Sequence, residues 1–283
     1  MRIPPKITQA MARGVLWLIA LAAIGVLGLI VLYVLIQGLP HVSPGFLFQM
    51  PENMGREGGI LPTLAATVYV TFLALLISGP ISLGAALYLV EYTRENTITR
   101  ILRFFTETLA GIPSIIFGLF GAAFFLYGLG MRLSILAGSL TLSMMLLPIM
   151  IRTSEEALKS VPNSYREGSL ALGATTWQTV TKAVLPSAAG GILTGILLGL
   201  GRAVGETAAL FLTLGGSILK IPTSPLEQGR TMTMHLYTLS SEGISVERAF
   251  ATASCLIVAI LLINYTAFAL LRRFNRKRLG RMA

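Results

Sequence analysis

Two ionisable residues stand in a run that is otherwise without charge. Between Pro186 and about Leu219 the chain is apolar except for Arg202 and Glu206. At i and i+4 they share one face if the run is helical. A guanidinium at such a place costs several kcal/mol in lipid, so it must face protein or water and have a partner. Two chemistries fit. The pair is structural glue, or Arg202 offers its forked donors to a small oxyanion while Glu206 neutralises it when no anion is present. Either way a carboxylate beside the cation makes anion binding weak and exchangeable, which suits a conduit. A second candidate is the Gly111-Ile112-Pro113-Ser114 break, where Gly111, Pro113 and Ser114 interrupt a helix and expose backbone N–H groups to the same cavity.

A different kind of work is suggested by residues 152–186, too polar to span a membrane and too helix-prone for a loose linker. Ser154 to Ala157 followed by Pro162 predicts a short helix stopping near Val161. Asn163 or Ser164 is a cap for a second helix with Glu167 in its first turn. Gly173 fits a bend, and Thr175 or Thr176 caps a third helix that Pro186 ends. The result is a helix-turn-helix lying across a membrane surface; on pattern alone, an ordinary surface loop is the competing reading.

These groups need elements to hold them, and composition says in what solvent. The 283 residues are 54% hydrophobic and 12% charged, with mean hydropathy +0.76. Soluble domains carry about 25% charged residues, so lipid is the solvent this chain is built for. The net charge of +10 lies in short clusters between apolar runs, the pattern of orientation signals and contacts with anionic headgroups, not of nucleic-acid binding. One cysteine (Cys255) and two distant histidines (His41 and His235) offer no disulfide and no metal site. No nucleotide-cradling loop or nucleophile elbow is present, so the chain reads as no enzyme, and any ATP and Mg belong to another chain.

Six spans follow from runs of about 20 apolar residues. They are Val15–Ile36, a retained anchor; Ile60–Val90, kinked at Pro80; about Thr108–Met131, containing the Gly111–Ser114 break; Leu133–Ile151, ending near Pro148; the run after Pro186; and Ala249–Leu271. A tight turn around Gly128, Gly130 and Arg132 joins the third to the fourth. The fifth exceeds one span, which predicts a bent or re-entrant piece near Gly215-Gly216. Counted from Ser187, Arg202 lies about 22 Å in, on the outer side of the midplane. Gly191, Gly195 and Gly199 recur at every fourth place, a face for close packing or sliding of helices, with Gly201 and Gly205 on a neighbouring stripe. Lys and Arg concentrate at the N-terminus, in 91–107, in 152–182 and in the tail, which puts both termini and the 152–182 loop in the cytoplasm of a multi-pass plasma (inner) membrane protein. The division is an N-terminal anchor helix and external loop (1–59), a transmembrane core (60–271) and a basic cytoplasmic tail (272–283).

The spacing of Glu167-Gly168-Ser169, Gly173, Ala183 and Leu185-Pro186 is similar to the signature loop of binding-protein-dependent ABC-importer permeases, Glu-Ala-Ala-x3-Gly-x9-Ile-x-Leu-Pro. Gly168, Ser169 and Ala183 depart from it as small or apolar exchanges. Four further segments resemble the A-type permease subunits of phosphate-specific transport (Pst) systems: Gly84–Tyr92, Leu109–Phe120, Glu155–Pro162 and Gly201–Ala208. The resemblance covers about residues 58–215. It implies an all-α integral membrane protein of the type I ABC importer permease kind, with a cytoplasmic coupling-helix loop. In that family the loop docks on an ATPase subunit, which implies a coupling role for Glu167, Gly168, Ser169, Ala171, Leu172, Gly173, Leu185 and Pro186. It also implies a second homologous permease, two ATPase subunits, an extracytoplasmic phosphate-binding protein and membrane lipids as partners. Arg202 and Glu206 are implicated in the family's substrate pathway. Physics alone leaves sulfate or molybdate open as the oxyanion, and leaves a self-contained channel or carrier as the other class.

Overall fold

Long apolar runs in a chain that must satisfy its own backbone hydrogen bonds leave helices as the economical solution. The computed structural model describes residues 5–279, with the side chains of 9, 11–269 and 272. The predicted tail from 272 onward therefore lies almost wholly outside the described side chains, as do Arg2 and Lys6. In chain order the helices are α1 (Pro5–Gly38), α2 (Pro44–Phe48), α3 (Leu61–Leu87), α4 (Thr97–Ala110), α5 (Ser114–Gly121), α6 (Ile135–Lys159), α7 (Asn163–Ala171), α8 (Thr176–Thr179), α9 (Leu185–Val204), α10 (Ala208–Phe211), α11 (Met232–Ser241) and α12 (Val246–Leu279). A two-stranded hairpin, β1 (Pro51–Glu52) with β2 (Glu57–Gly58), lies between α2 and α3. Among the described residues, five helical segments are long and apolar enough to cross a membrane, or six if α4 with α5 counts as one bent span.

Three π-helical stretches lengthen these helices: Tyr88–Tyr92 continues α3, Ala122–Gly128 continues α5, and Val180–Val184 fuses α8 to α9. The last explains one departure from the sequence reading. Pro186 ends nothing; the helix runs from Thr176 to Val204, and the wider π turn immediately before the proline makes room for its ring and its missing donor. Likewise α6 does not stop near Pro148. It continues to Lys159 and absorbs the short helix expected at Ser154–Ala157, because α3 and α9 pack along it. Pro80 lies inside an uninterrupted α3. Proline costs such helices less than it would in water, since neighbouring helices re-satisfy the freed groups.

The third span also differs. It begins at Ser114, not Thr108, because the chain turns through 102° at Gly111–Pro113 and leaves α4 as a separate helix. Asn96 and Thr99 form a reciprocal capping box that starts α4. The predicted tight turn after α5 is present, with Gly130 at φ +69°.

α6 is the central rod, flanked by α3, α9, α5 and α4. Its buried face, including Leu142, Met145, Leu146 and Met150, joins Ala66, Val70 and Ala74 of α3 and Leu210 and Leu214 beyond α9 in one apolar cluster. α9 runs antiparallel to it at close range. A Cβ added at Gly191 would come 2.6 Å from Ala157 Cβ, one at Gly195 would collide with Thr153, and one at Gly199 would meet Met150 Sδ at 3.2 Å. The glycine row is therefore a packing face against α6. Gly201 instead looks toward Asn264 of α12. At the start of α6 the backbone N–H groups of Ser134, Ile135 and Leu136 donate to the carbonyls of Thr213, Glu227 and Pro225, so the 213–227 segment is tied to this helix end.

Near that same end, the hairpin covers α11. Gly55, at φ +95°, lies against the His235 ring, where a Cβ would approach Cε1 to 2.7 Å. His235 is buried and its Nδ1 has no hydrogen-bond partner. Burial, and secondarily the charge of Arg230, pushes its pKa down to about 4.

Two outcomes are expected. Gly195→Val overpacks the α6–α9 contact and should destabilise the purified chain by about 1–3 kcal/mol, read as a lower thermal midpoint, whereas Gly84→Ala, inside α3 with a Cβ that would meet nothing within 4 Å, should not lower it. Because His235 binds its proton less readily when folded, its neutral form contributes fully above about pH 6.5. That contribution should erode as pH falls toward about 4. A His235→Gln variant should show a flatter midpoint-against-pH curve over this window.

Candidate functional site

The register of α9 on α6 sets the depth of the buried cation. Gly191, Gly195 and Gly199 face Ala157, Thr153 and Met150 in turn. Extending that antiparallel pairing by three residues brings Arg202 level with about Leu146, halfway along α6. The helix stops there. Gly205 closes α9, residues 205–207 are non-helical, and α10 resumes at Ala208. From α10 the chain continues to Thr213 and Leu214, beside the first turn of α6. The fifth span is thus a broken helix with its break level with the middle of α6. The predicted bend lies ten residues earlier than Gly215-Gly216, which form a separate turn with φ of +102° and +81° where Gly215 bridges to Gly229.

The break separates the two ionisable residues. Arg202 and Glu206 do not share a helix face, because α9 ends between them at Val204. Glu206 turns inward, is buried, and its Oε1 accepts the Ala209 N–H at 3.0 Å, capping α10; its carbonyl accepts from Thr233 Oγ1 at 2.6 Å. Arg202 is exposed and, among the described residues, has no hydrogen-bond or ion-pair partner. It lies with Leu198 and Gly205 on an uncovered stripe of α9. A guanidinium at this depth does not face hydrocarbon, so this stripe must look onto a polar cavity or another protein.

α5 borders the same break. A Cβ at Gly118 would come 2.9 Å from the Ala209 carbonyl, so only glycine allows this approach. Ser114 stands one turn before it, with Gly111 and Pro113 exposed at the corner between α4 and α5. The corner is present as expected, but among the described residues no hydrogen bond joins it to Arg202.

At the end of α6 marked by Lys159, the 160–184 segment forms the helix-turn-helix read from the sequence, with altered details. α7 starts at Asn163 after Pro162 and has no side-chain cap, so neither Asn163 nor Ser164 plays that part, and Glu167 falls in its second turn. Gly173 makes the bend at φ +81°, which a residue with a Cβ adopts only under strain. Thr175 and Gln178 form the capping box of the next helix. Glu167, Gly168, Ala171, Leu172 and Gly173 are exposed, Leu172 to 91%, beside exposed Tyr165, Leu170 and Trp177. Ser169 is half-buried, its hydroxyl 2.9 Å from that of Thr179, and Leu185 and Pro186 are half-buried at the start of α9. The loop therefore presents an apolar and aromatic tip on a fixed base.

The base rests on a residue that motif reading passed over. Arg166 makes a bidentate pair with Glu91, at 2.7 Å from Nη2 and 3.1 Å from Nε, and donates to the carbonyls of Val161 and Leu158. One side chain thereby joins α7, the end of α6 and the π-helical end of α3. Glu91 was visible as the charge that closes an apolar run, but its partner lies 75 positions away. A cavity of about 450 Å³ opens beside this pair, lined in part by Asn163, Leu170 and Thr176. A second network holds α4 to α6: Arg103 to Glu155 at 2.6 Å and to Glu95 at 2.8 Å, with Lys159 to Glu155 at 2.7 Å.

The fold is thus a helical bundle with a projecting loop between two long spans and a span broken level with the middle of α6. The chain belongs to the family of binding-protein-dependent transport system inner membrane components, whose model matches residues 78–280. It is an ABC importer permease. It is 32% identical over 277 residues to the probable ABC transporter permease protein YqgI of Bacillus subtilis, covering 93% of this chain and 94% of that one. It is 32% identical over 261 residues to the probable phosphate transport system permease protein PstA of Methanocaldococcus jannaschii, covering 90% and 92%. Among solved structures it shares its fold with a chain of a bacterial ABC transporter involved in the import of the acidic polysaccharide alginate, at TM-score 0.64 and 17% identity over 95% of this chain and 99% of that one.

Removing the clamp should be costly. Arg166→Ala leaves the nearly buried Glu91 carboxylate unpaired and should lower stability by about 2–3 kcal/mol. Adding Glu91→Gln should recover part of the loss in a thermal-unfolding double-mutant cycle.

Proposed function

We propose that the chain is one permease subunit of an ATP-driven phosphate importer and forms half of its translocation pathway. The observation that carries this reading is the Arg202 guanidinium, uncovered and, among the described residues, without a partner, beside a helix break level with the middle of α6. Five fixed N–H donors match the oxygens of a phosphate monoanion or dianion, which must exchange its hydration shell for protein donors to cross. Glu206 has a different role from the one its spacing suggested: it holds α10 at the break and so sets where the pathway's backbone is open. Ser114, with Gly111 and Pro113, stands at the second discontinuity on the neighbouring span. The relatives named as phosphate permeases favour phosphate, while sulfate or molybdate would satisfy the same donors.

The Leu172 tip, with Glu167, Gly168, Ala171 and Gly173, is the surface we assign to a separate ATPase. Gly173 shapes it, while Ser169, Leu185 and Pro186 fix it to the bundle. ATP and Mg would bind on that partner. The remaining companions in this reading are a second permease, which covers the Arg202 stripe, a second ATPase and an extracytoplasmic phosphate-binding protein. The charge bias supports a cytoplasmic position for the termini and α7 in this reading.

The test is ATP-driven uptake by the complex reconstituted in proteoliposomes. Arg202→Gln should reduce labelled phosphate uptake to background with the complex still assembled, and Leu172→Asp should abolish uptake by releasing the ATPase. Phosphate should be taken up in preference to sulfate. Normal uptake by the Arg202 variant removes that residue from the pathway, sulfate preference overturns the substrate, and transport by this chain alone overturns the importer reading.

A further inference from the structure

α4 carries its faces the wrong way round for a helix in water. Thr99, Arg103, Thr106 and Ala110, spaced at i, i+4, i+7 and i+11, are its more protected residues, and Arg103 is held by Glu155 of α6. About 100° round the helix from them Ile98, Leu102, Phe105 and Leu109 are exposed, Ile98 to 68% and Phe105 to 58%, and Ile101 and Phe104 extend this apolar surface to the side opposite the bundle. The polar side faces the bundle and the apolar side faces out. In a soluble protein this pattern would be inverted.

Three further observations say what covers the outward face. First, α4 contacts α6 at its charged last turns, with Glu107 near Arg152 and Arg103 on Glu155, one turn beyond the apolar stretch that closes at Ile151. That change of composition marks the boundary of the hydrocarbon. Second, α4 meets α5 at 102°, and α5 packs along α6, so α4 runs roughly parallel to the boundary plane. Third, its apolar face continues into the exposed Ile115, Ile116, Leu119 and Phe120 of α5. Arg100, on the side of α4 turned away from this face, and Arg94, just before the helix, are exposed, with no ion-pair partner among the described residues. An amphipathic helix with one basic residue on its polar side and another at its start, in this position, is the form that lies in a bilayer interface.

We infer that α4 is a membrane-surface helix whose Ile98, Leu102, Phe105 and Leu109 enter the acyl region while Arg94 and Arg100 engage anionic lipid headgroups. The bound partner is the lipid surface, and the inference is independent of which solute is transported. The Arg103–Glu155 contact fixes the helix to α6, so the bundle and its α7 end are seated at a set height on the leaflet.

The full-length chain, copurified with its companion subunits in nanodiscs, tests this. With Cys255 replaced by Ala, a spin label at Leu102→Cys, Phe105→Cys or Leu109→Cys should collide preferentially with oxygen, and one at Thr97→Cys or Glu107→Cys with an aqueous nickel chelate. Labels on the apolar face shielded from both would show a protein covering it, and labels reached by nickel would show water; either overturns the inference. A fluorophore at Phe105→Cys should be quenched more by brominated phosphatidylglycerol than by the same mole fraction of brominated phosphatidylcholine. With two cations engaged the lipid preference is expected to be about thirtyfold, and Arg94→Gln with Arg100→Gln should erase it. Equal quenching by the two lipids in the unaltered pair, or a preference that survives both substitutions, overturns the headgroup assignment.

Discussion

Everything about the placement of Arg202 depends on how closely two backbones meet. In lipid there is little hydrophobic force between helices, so association rests on dispersion contacts and hydrogen bonds. Glycine at 191, 195 and 199 lets α9 approach α6 until its backbone touches the side chains of Ala157, Thr153 and Met150. This contact fixes the antiparallel register, and the register fixes the height at which α9 may end. A larger residue in the row would push the helices apart and change both the depth of the break and the direction of the uncovered stripe.

The two ends of the bundle are built on different principles. Toward α7, charged groups do the joining: Arg166 grips Glu91 and two carbonyls, and Arg103 shares Glu155 with Lys159. Held this way, the base presents Leu172 and Trp177 uncovered. At the opposite end the work is done by backbone hydrogen bonds to the first turn of α6 and by the hairpin over His235. There too a charged pair orders the loop: Lys220 and the Thr223 N–H hold the Glu227 carboxyl below its usual range.

Apolar run length was enough to find the spans, and turn chemistry was enough to find Gly130, Gly173 and the Thr175 cap, because these depend on local sequence. The errors arose where tertiary packing overrode local rules. Pro148 and Pro186 read as helix ends, but neighbouring helices and a π turn carry the chain through both. Arg202 and Glu206 read as partners because their spacing assumes a helix that Gly205 in fact closes. The Arg166–Glu91 and Arg103–Glu155 pairs join residues too far apart in sequence for spacing to reveal. The uncovered state of Arg202 is legible only once the helices are in place.

α6 runs unbroken from Ile135 to Lys159, through Pro148, and 25 residues at 1.5 Å each make a rod of about 37 Å. One end is bonded to the 213–227 segment and the other is gripped, through Arg166, by the α7 loop. Such a rod acts as a lever arm. A rocking of 10° at the loop displaces the far tip by about 6 Å, and the segment hooked there travels with it. Movement imposed at one mouth of the bundle is thus delivered to the other without any intermediate joint.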